Sequence, residues 1–113
     1  MRKIEAQMIH AVLTGRDFKS GNTSVVGTDH GTFVGLHGNK IAQVDHEAQV
    51  IWITDAGWQT TTTKSRLNAL LGGLGNRGHI YQKDFVWHLV TGYDATETDT
   101  REMDRHATYA VSL

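Results

Sequence analysis

Apolar positions change their period three times along this chain, and each change marks a boundary between elements. Over residues 2–13 they recur in helical steps: Ile4, Met8 and Val12 lie four apart, Ile9 and Leu13 widen the stripe, and Lys3, Gln7 and His10 face away. Gly15 ends this helix. The segment 16–22 is polar apart from Phe18, which is expected to tuck back onto the helix as an anchor. From Thr23 the period becomes two, so residues 23–28, 31–37, 40–45 and 49–54 read as four short strands. Asp29-His30, Gly38-Asn39, His46-Glu47 and Ala56-Gly57 are the expected turns. Connections this short join antiparallel neighbours into a meander.

A two-residue turn at Gly38-Asn39 would pair Leu36 with Ile41, Gly35 with Ala42 and Phe33 with Val44. A second at His46-Glu47 would set Ile41 opposite Trp52 and Ala42 opposite Ile51. One face would then carry Val34, Leu36, Ile41, Val50 and Trp52. The other would carry Phe33, Val44, Ile51 and Ile53 beside a low strip at Gly35 and Ala42. Two apolar faces call for cover on both sides, by helices or by a partner chain.

The third change comes inside residues 57–71. The β-branched run Thr60-Thr61-Thr62-Thr63 suits a fifth strand over 58–62, while Leu67, Leu70, Leu71 and Leu74 take the i, i+3, i+4, i+7 spacing of one helix face. Thr62 or Thr63 would cap that helix, and Gly72, Gly73 and Gly75 would end it. Residues 79–82 and 85–91 then form a second hairpin about Lys83-Asp84, with Tyr81 and Val86 on one face, Ile80 and Trp87 on the other, and His79 opposite His88. Residues 94–105 are polar and acidic, with Thr96 or Thr98 placed to cap a short helix. At the end, Tyr109, Val111 and Leu113 alternate as in a strand, while Met103, Ala107, Ala110 and Val111 suit a helix equally well. The resulting fold class is α+β: an N-terminal helix, an antiparallel β-meander, one leucine-faced helix packed on the sheet, a C-terminal β-hairpin and an acidic tail. Residues 1–91 would form the compact core of a single domain, and 92–113 the acidic segment.

Composition narrows the chemistry. A chain of 113 residues suits one domain with a single core. It has no cysteine, which excludes disulfides, thiolate metal sites and cysteine nucleophiles, and no proline. The net charge of −1 argues against a strongly basic nucleic-acid coat or a membrane-surface binder. No apolar run approaches the roughly 18 residues of a membrane span. Gln7 and His10 interrupt any leader-like apolar segment, which implies a cytoplasmic protein. The charges are nevertheless uneven. Residues 60–83 hold Lys64, Arg66, Arg77 and Lys83 and no acid, whereas 92–106 hold Asp94, Glu97, Asp99, Glu102 and Asp104 against Arg101 and Arg105.

Seven histidines and no cysteine make histidine the natural metal ligand, and His79 with His88 is the one cross-strand pair. No HExxH or His-x-His pattern supports them, so no metal site and no cofactor are assigned. Ser65, His88 and Asp84 supply the residue types of a triad without any spacing that joins them. Gly72-Gly73-Leu74-Gly75 follows a helix instead of preceding one, unlike a phosphate loop. No catalytic residue is assigned, and an enzyme is not expected. The start of the leucine helix is the better candidate: its free N–H groups favour an anion, and Thr63, Lys64, Ser65 and Arg66 add hydroxyls and charge. Lysine and arginine in a first helical turn run against the helix dipole, which favours a partner there. Arg77 and Lys83 extend the basic segment, and Trp58 and Tyr81 would give it a stacking surface.

Several fragments together carry a resemblance: Gly21-Asn22-Thr23, Leu36-His37-Gly38-Asn39-Lys40-Ile41-Ala42, Gly57-Trp58, the run from Thr61-Thr62-Thr63-Lys64-Ser65-Arg66 to Leu67-Asn68-Ala69-Leu70, and Ile80 with Gln82 before Trp87. Over residues 1–90 the chain resembles small proteins of tailed bacteriophages, a domain type of unknown function. The resemblance implies an accessory protein in the host cytoplasm that binds host or phage machinery, and it brings no catalytic residues. The expected function is therefore non-enzymatic binding of a host or phage protein, or self-association as a homo-oligomer. The alternative is a nucleic-acid-binding accessory protein using segment 60–83, and a small metal protein or enzyme comes third.

Overall fold

The computed structural model describes residues 1–92 and 98–113. Helix α1 (Lys3–Thr14) buries Glu5, Met8, Ile9, Ala11 and Val12 and leaves Leu13 64 % exposed. It stops at Gly15, whose φ of 68° lies in the left-handed region and lets its N–H reach the Ala11 carbonyl.

Six antiparallel strands build one sheet, in the order β1-β2-β3-β4-β5-β9: β1 (Phe18–Ser20), β2 (Thr23–Thr28), β3 (Gly31–Leu36), β4 (Asn39–Asp45), β5 (Val50–Thr54) and β9 (Thr108–Ser112). The four expected strands of the meander are present. Phe18 does pack on the core, but it does so from an additional strand, β1, opposite Val25.

The expected face pairing needs correction. The β3–β4 turn is His37-Gly38, with φ of 53° and 80°, so Leu36 meets Asn39 and Gly35 meets Lys40. The register then shifts between Val34 and Gly35: Ile41 stands as an extra residue, and beyond it Val34 meets Ala42 and Phe33 meets Gln43. One inserted residue exchanges the faces of everything after it. Between β4 and β5 the pairs are Ala42 with Ile53, Gln43 with Trp52 and Val44 with Ile51. A single apolar face results: Val25, Val34, Leu36, Ala42, Val44, Ile51 and Ile53 are all buried, and Ile41 joins them through the bulge. The opposite face is not covered by either helix.

Helix α2 (Thr61–Leu74) lies against the buried face and against α1. Its Leu67, Leu70 and Leu71 share one cluster with Met8, Ile9 and Val12 of α1, and Leu74 packs at the margin. The strand expected over 58–62 is absent. Thr60, not Thr62 or Thr63, is the cap, and its Oγ1 accepts the Thr63 N–H at 3.1 Å. The helix also runs through Gly72 and Gly73. Gly73 has a packing role there, because a Cβ would crowd the Ile9 side chain of α1. The left-handed position past the helix falls to Asn76, with φ of 54°.

A second sheet has the order β6-β7-β8: β6 (Gly78–Lys83), β7 (Val86–Thr91) and β8 (Asp99–Glu102). Its hairpin turn is Asp84-Phe85, one residue later than expected, so Tyr81 stands opposite His88 and His79 opposite Val90. That displacement moves the pairing by two and keeps the faces: Ile80 and Trp87 are buried together, and Tyr81 shares the outer side with Val86. Asn68 of α2 closes the β6 edge, donating to the Ile80 carbonyl at 2.8 Å and accepting its N–H at 2.7 Å. Where described, the tail carries two strands joined by a loop over 103–107: β8 is a charged edge, and the alternating reading of Tyr109 and Val111 holds in β9. Thr98 caps no helix, and Thr96 lies outside the described residues. No described helix is long and apolar enough to cross a membrane.

Candidate functional site

The segment between β5 and α2 is folded around one carboxylate. Asp55 is 1 % exposed; its Oδ1 accepts the Gly57 N–H at 2.6 Å and the His106 N–H at 2.9 Å, and its Oδ2 accepts Gln59 Nε2 at 3.0 Å. Gln59 Nε2 also donates to the Met103 carbonyl at 3.1 Å. The Trp58 N–H turns back to the Asp55 carbonyl at 2.9 Å. Gly57, at φ 91°, faces the His106 ring with no room for a side chain. These bonds bend 55–60 into a tight loop and tie it to the segment before β9, which is why no fifth strand forms there.

The loop leaves an open cleft of about 530 Å³ in front of α2. Leu36, Ile41, Ala56 and Trp58 form its apolar wall. Thr60 and Thr62 from the helix start, with His37 and Asn39 from the β3–β4 turn, supply polar groups. Trp58 stands 62 % exposed at this cleft.

The structure separates the residues that the sequence grouped as an anion site. Thr63 is buried, and its N–H is taken by the Thr60 cap. The Ser65 hydroxyl donates to Glu5 Oε2 at 2.6 Å. Arg66 is 4 % exposed and turns inward: Nη1 meets Glu5 Oε2 at 2.9 Å, Nε donates to Thr23 Oγ1 at 3.0 Å, and Nη2 reaches Asn22 Oδ1 at 3.4 Å. The Arg2 N–H completes the cage at Glu5 Oε1, 3.4 Å away. Burial by itself raises the Glu5 pKa, but the hydrogen bonds from Ser65, Arg66 and Arg2 and the Arg66 charge outweigh it and hold the carboxyl below its ordinary value. Of the helix-start group only Lys64, half-buried, has a side chain without a bond among the described residues. Arg77 and Lys83 are exposed beyond the far end of α2. Tyr81, 37 % exposed, stacks on His88 with centroids 4.9 Å apart and lies between His88 and His79. The described residues contain no group of three metal-ligating side chains.

Sequence reasoning missed Asp55 and Glu5. Asp55 has no sequence signal beyond its place before Ala56-Gly57. Glu5 had one: it begins the spacing Glu5, Met8, Ile9, Val12, and so belongs to the buried stripe of α1.

The sequence model of the Kyanoviridae Gp96 protein family matches residues 1–109. The chain belongs to that family. The family is one of phage proteins, in agreement with the resemblance carried by the sequence fragments, and the match extends that resemblance through β8 into β9. No curated protein and no solved structure matches the chain.

Proposed function

We propose that this member of the Gp96 family is a non-catalytic accessory protein of the host cytoplasm, and that it acts by docking a segment of another protein in the cleft before α2. One observation carries the reading. An exposed tryptophan stands at an apolar cleft, while every buried ionisable group described, Glu5, Asp55 and Arg66, is already bonded to the fold. Large aromatic side chains held at the edge of apolar pockets are the usual anchors of protein interfaces. Phage membership supports a host or phage protein as the partner.

The test compares partners captured from infected host cells by the wild type and by Trp58→Ala. Since Trp58 lies outside the core, the variant keeps its far-UV spectrum and thermal transition. The affinity of a captured partner, measured with purified components, should fall about tenfold or more, as for an interface anchor. A partner held equally well by both proteins would remove the cleft from the interface. A monomer that captures nothing would end the reading.

A further inference from the structure

The face of the six-stranded sheet turned away from the helices has its own chemistry. The register places Val26, Phe33, Gln43, Trp52 and Ala110 in one row across β2, β3, β4, β5 and β9. Val26 is 44 % and Trp52 45 % exposed. Phe33 and Trp52 sit two strand spacings apart, about 10 Å, with the Gln43 amide between them. The adjacent row is Lys19, Ser24, Gly35 and Lys40. Lys40 Nζ reaches back over the Phe33 ring, 4.9 Å from its centroid, and to Gln43 Oε1 at 3.4 Å. Trp52 also walls a shallow depression of about 310 Å³ with Lys40, Gln43, Thr54 and Thr108. These two rows contain no acid; Asp45 lies at the margin, with its carboxylate bonded to the Glu47 and Ala48 N–H groups.

Aromatic faces on an open sheet, amide and hydroxyl groups between them, and lysines alongside without acids form a surface for unstacked bases on an anionic backbone. We infer that this face binds single-stranded nucleic acid, with Trp52 as the stacking platform and Lys19 and Lys40 as phosphate contacts. The lysine row favours an anionic occupant, and a polynucleotide uses both rows. The site is separate from segment 60–83 and from the cleft before α2, so it stands or falls independently of protein docking in that cleft.

The experiment is fluorescence anisotropy with a labelled short oligothymidylate and the matching oligouridylate, at several salt concentrations. Two lysine contacts predict a log–log salt slope of about −1.4. Trp52→Ala should weaken binding about 5- to 150-fold with the fold intact, because loss of a stacking platform has that effect. Lys19→Ala with Lys40→Ala should flatten the slope, and Lys64→Ala should leave both slope and affinity unchanged. Absence of binding by the folded wild type at low salt overturns the inference, as does binding insensitive to Trp52→Ala. Equal competition by duplex DNA also overturns it, since paired bases cannot stack on the sheet. So does light scattering that shows a dimer dispersed by Trp52→Lys without any oligonucleotide binding, which would give the face to a second copy of the chain.

Discussion

Leu70→Asp should leave the chain without a cooperative thermal transition or a near-UV spectrum. Leu70 is fully buried where α2 meets α1 and the sheet. Truncating such a leucine typically removes about 2–5 kcal/mol, and an uncompensated buried carboxylate adds several more. Domains of this size are stable by only about 5–15 kcal/mol, so the combined effect matches the whole margin. The control is Leu13→Asp. Leu13 continues the apolar stripe of α1 yet is 64 % exposed, so the same change there should leave the transition in place. A folded, soluble Leu70→Asp protein would mean that α2 does not pack as described.

Arg66→Ala should rank second, with a loss of about 3–5 kcal/mol in urea denaturation, the usual consequence of removing one partner of a buried ion pair. The loss comes from what stays behind. The Glu5 carboxylate remains buried with Ser65 and the Arg2 N–H, while Thr23 and Asn22 lose the guanidinium that joins their turn to α2. Replacing both charges, as in Glu5→Leu with Arg66→Met, should lose less than the sum of the single changes, because no buried charge is orphaned.

The same network sets an acid limit. The folded carboxyl of Glu5 titrates below its ordinary value of 4.5, so its contribution is fully present above that pH and drains away as the pH falls through the depressed folded value. Denaturation midpoints should therefore decline below about pH 4.5, and Glu5→Gln should remove that part of the decline, although it lowers stability at neutral pH. A Glu5→Gln protein with the wild-type acid profile would show that other carboxylates control it.

Patterns that repeat along the chain were legible in the sequence, whereas single-residue events were not. The stripe of Leu67, Leu70 and Leu71 and the alternation of Ile51 and Ile53 each rest on several positions that agree, and both elements are present. The bulge at Ile41 is one residue, invisible to periodicity, and it alone exchanges the faces assigned to Phe33 and Val34. Both turns moved by one position because left-handed places went to His37 and Phe85, and residues other than glycine take such φ values uncommonly. At the candidate site, Arg66 reads in the sequence as part of an anion-binding helix start, although it lies four residues before Leu70, on the same helix face. An arginine and a glutamate that each interrupt an apolar stripe, one per helix, are the signature of a buried pair. The cleft before α2 and the loop that shapes it depend on Asp55 meeting His106 from a remote part of the chain, and local pattern carries no such information.

The pairing of β5 with β9 also has a consequence for how the molecule assembles. All of α2 and the second sheet lie between these strands in the chain, so their closure spans the longest loop in the fold and comes late. Until then the β5 edge, with Ile51 and Ile53 along it, is an unsatisfied ladder. In a crowded refolding mixture a neighbour's β9 competes for that edge with the chain's own, in the same antiparallel register of Val50 with Ser112 and Thr54 with Thr108. The loop that positions β9, held by Asp55 through His106 and by Gln59 through Met103, thus acts as a tether that favours intramolecular closure over strand exchange.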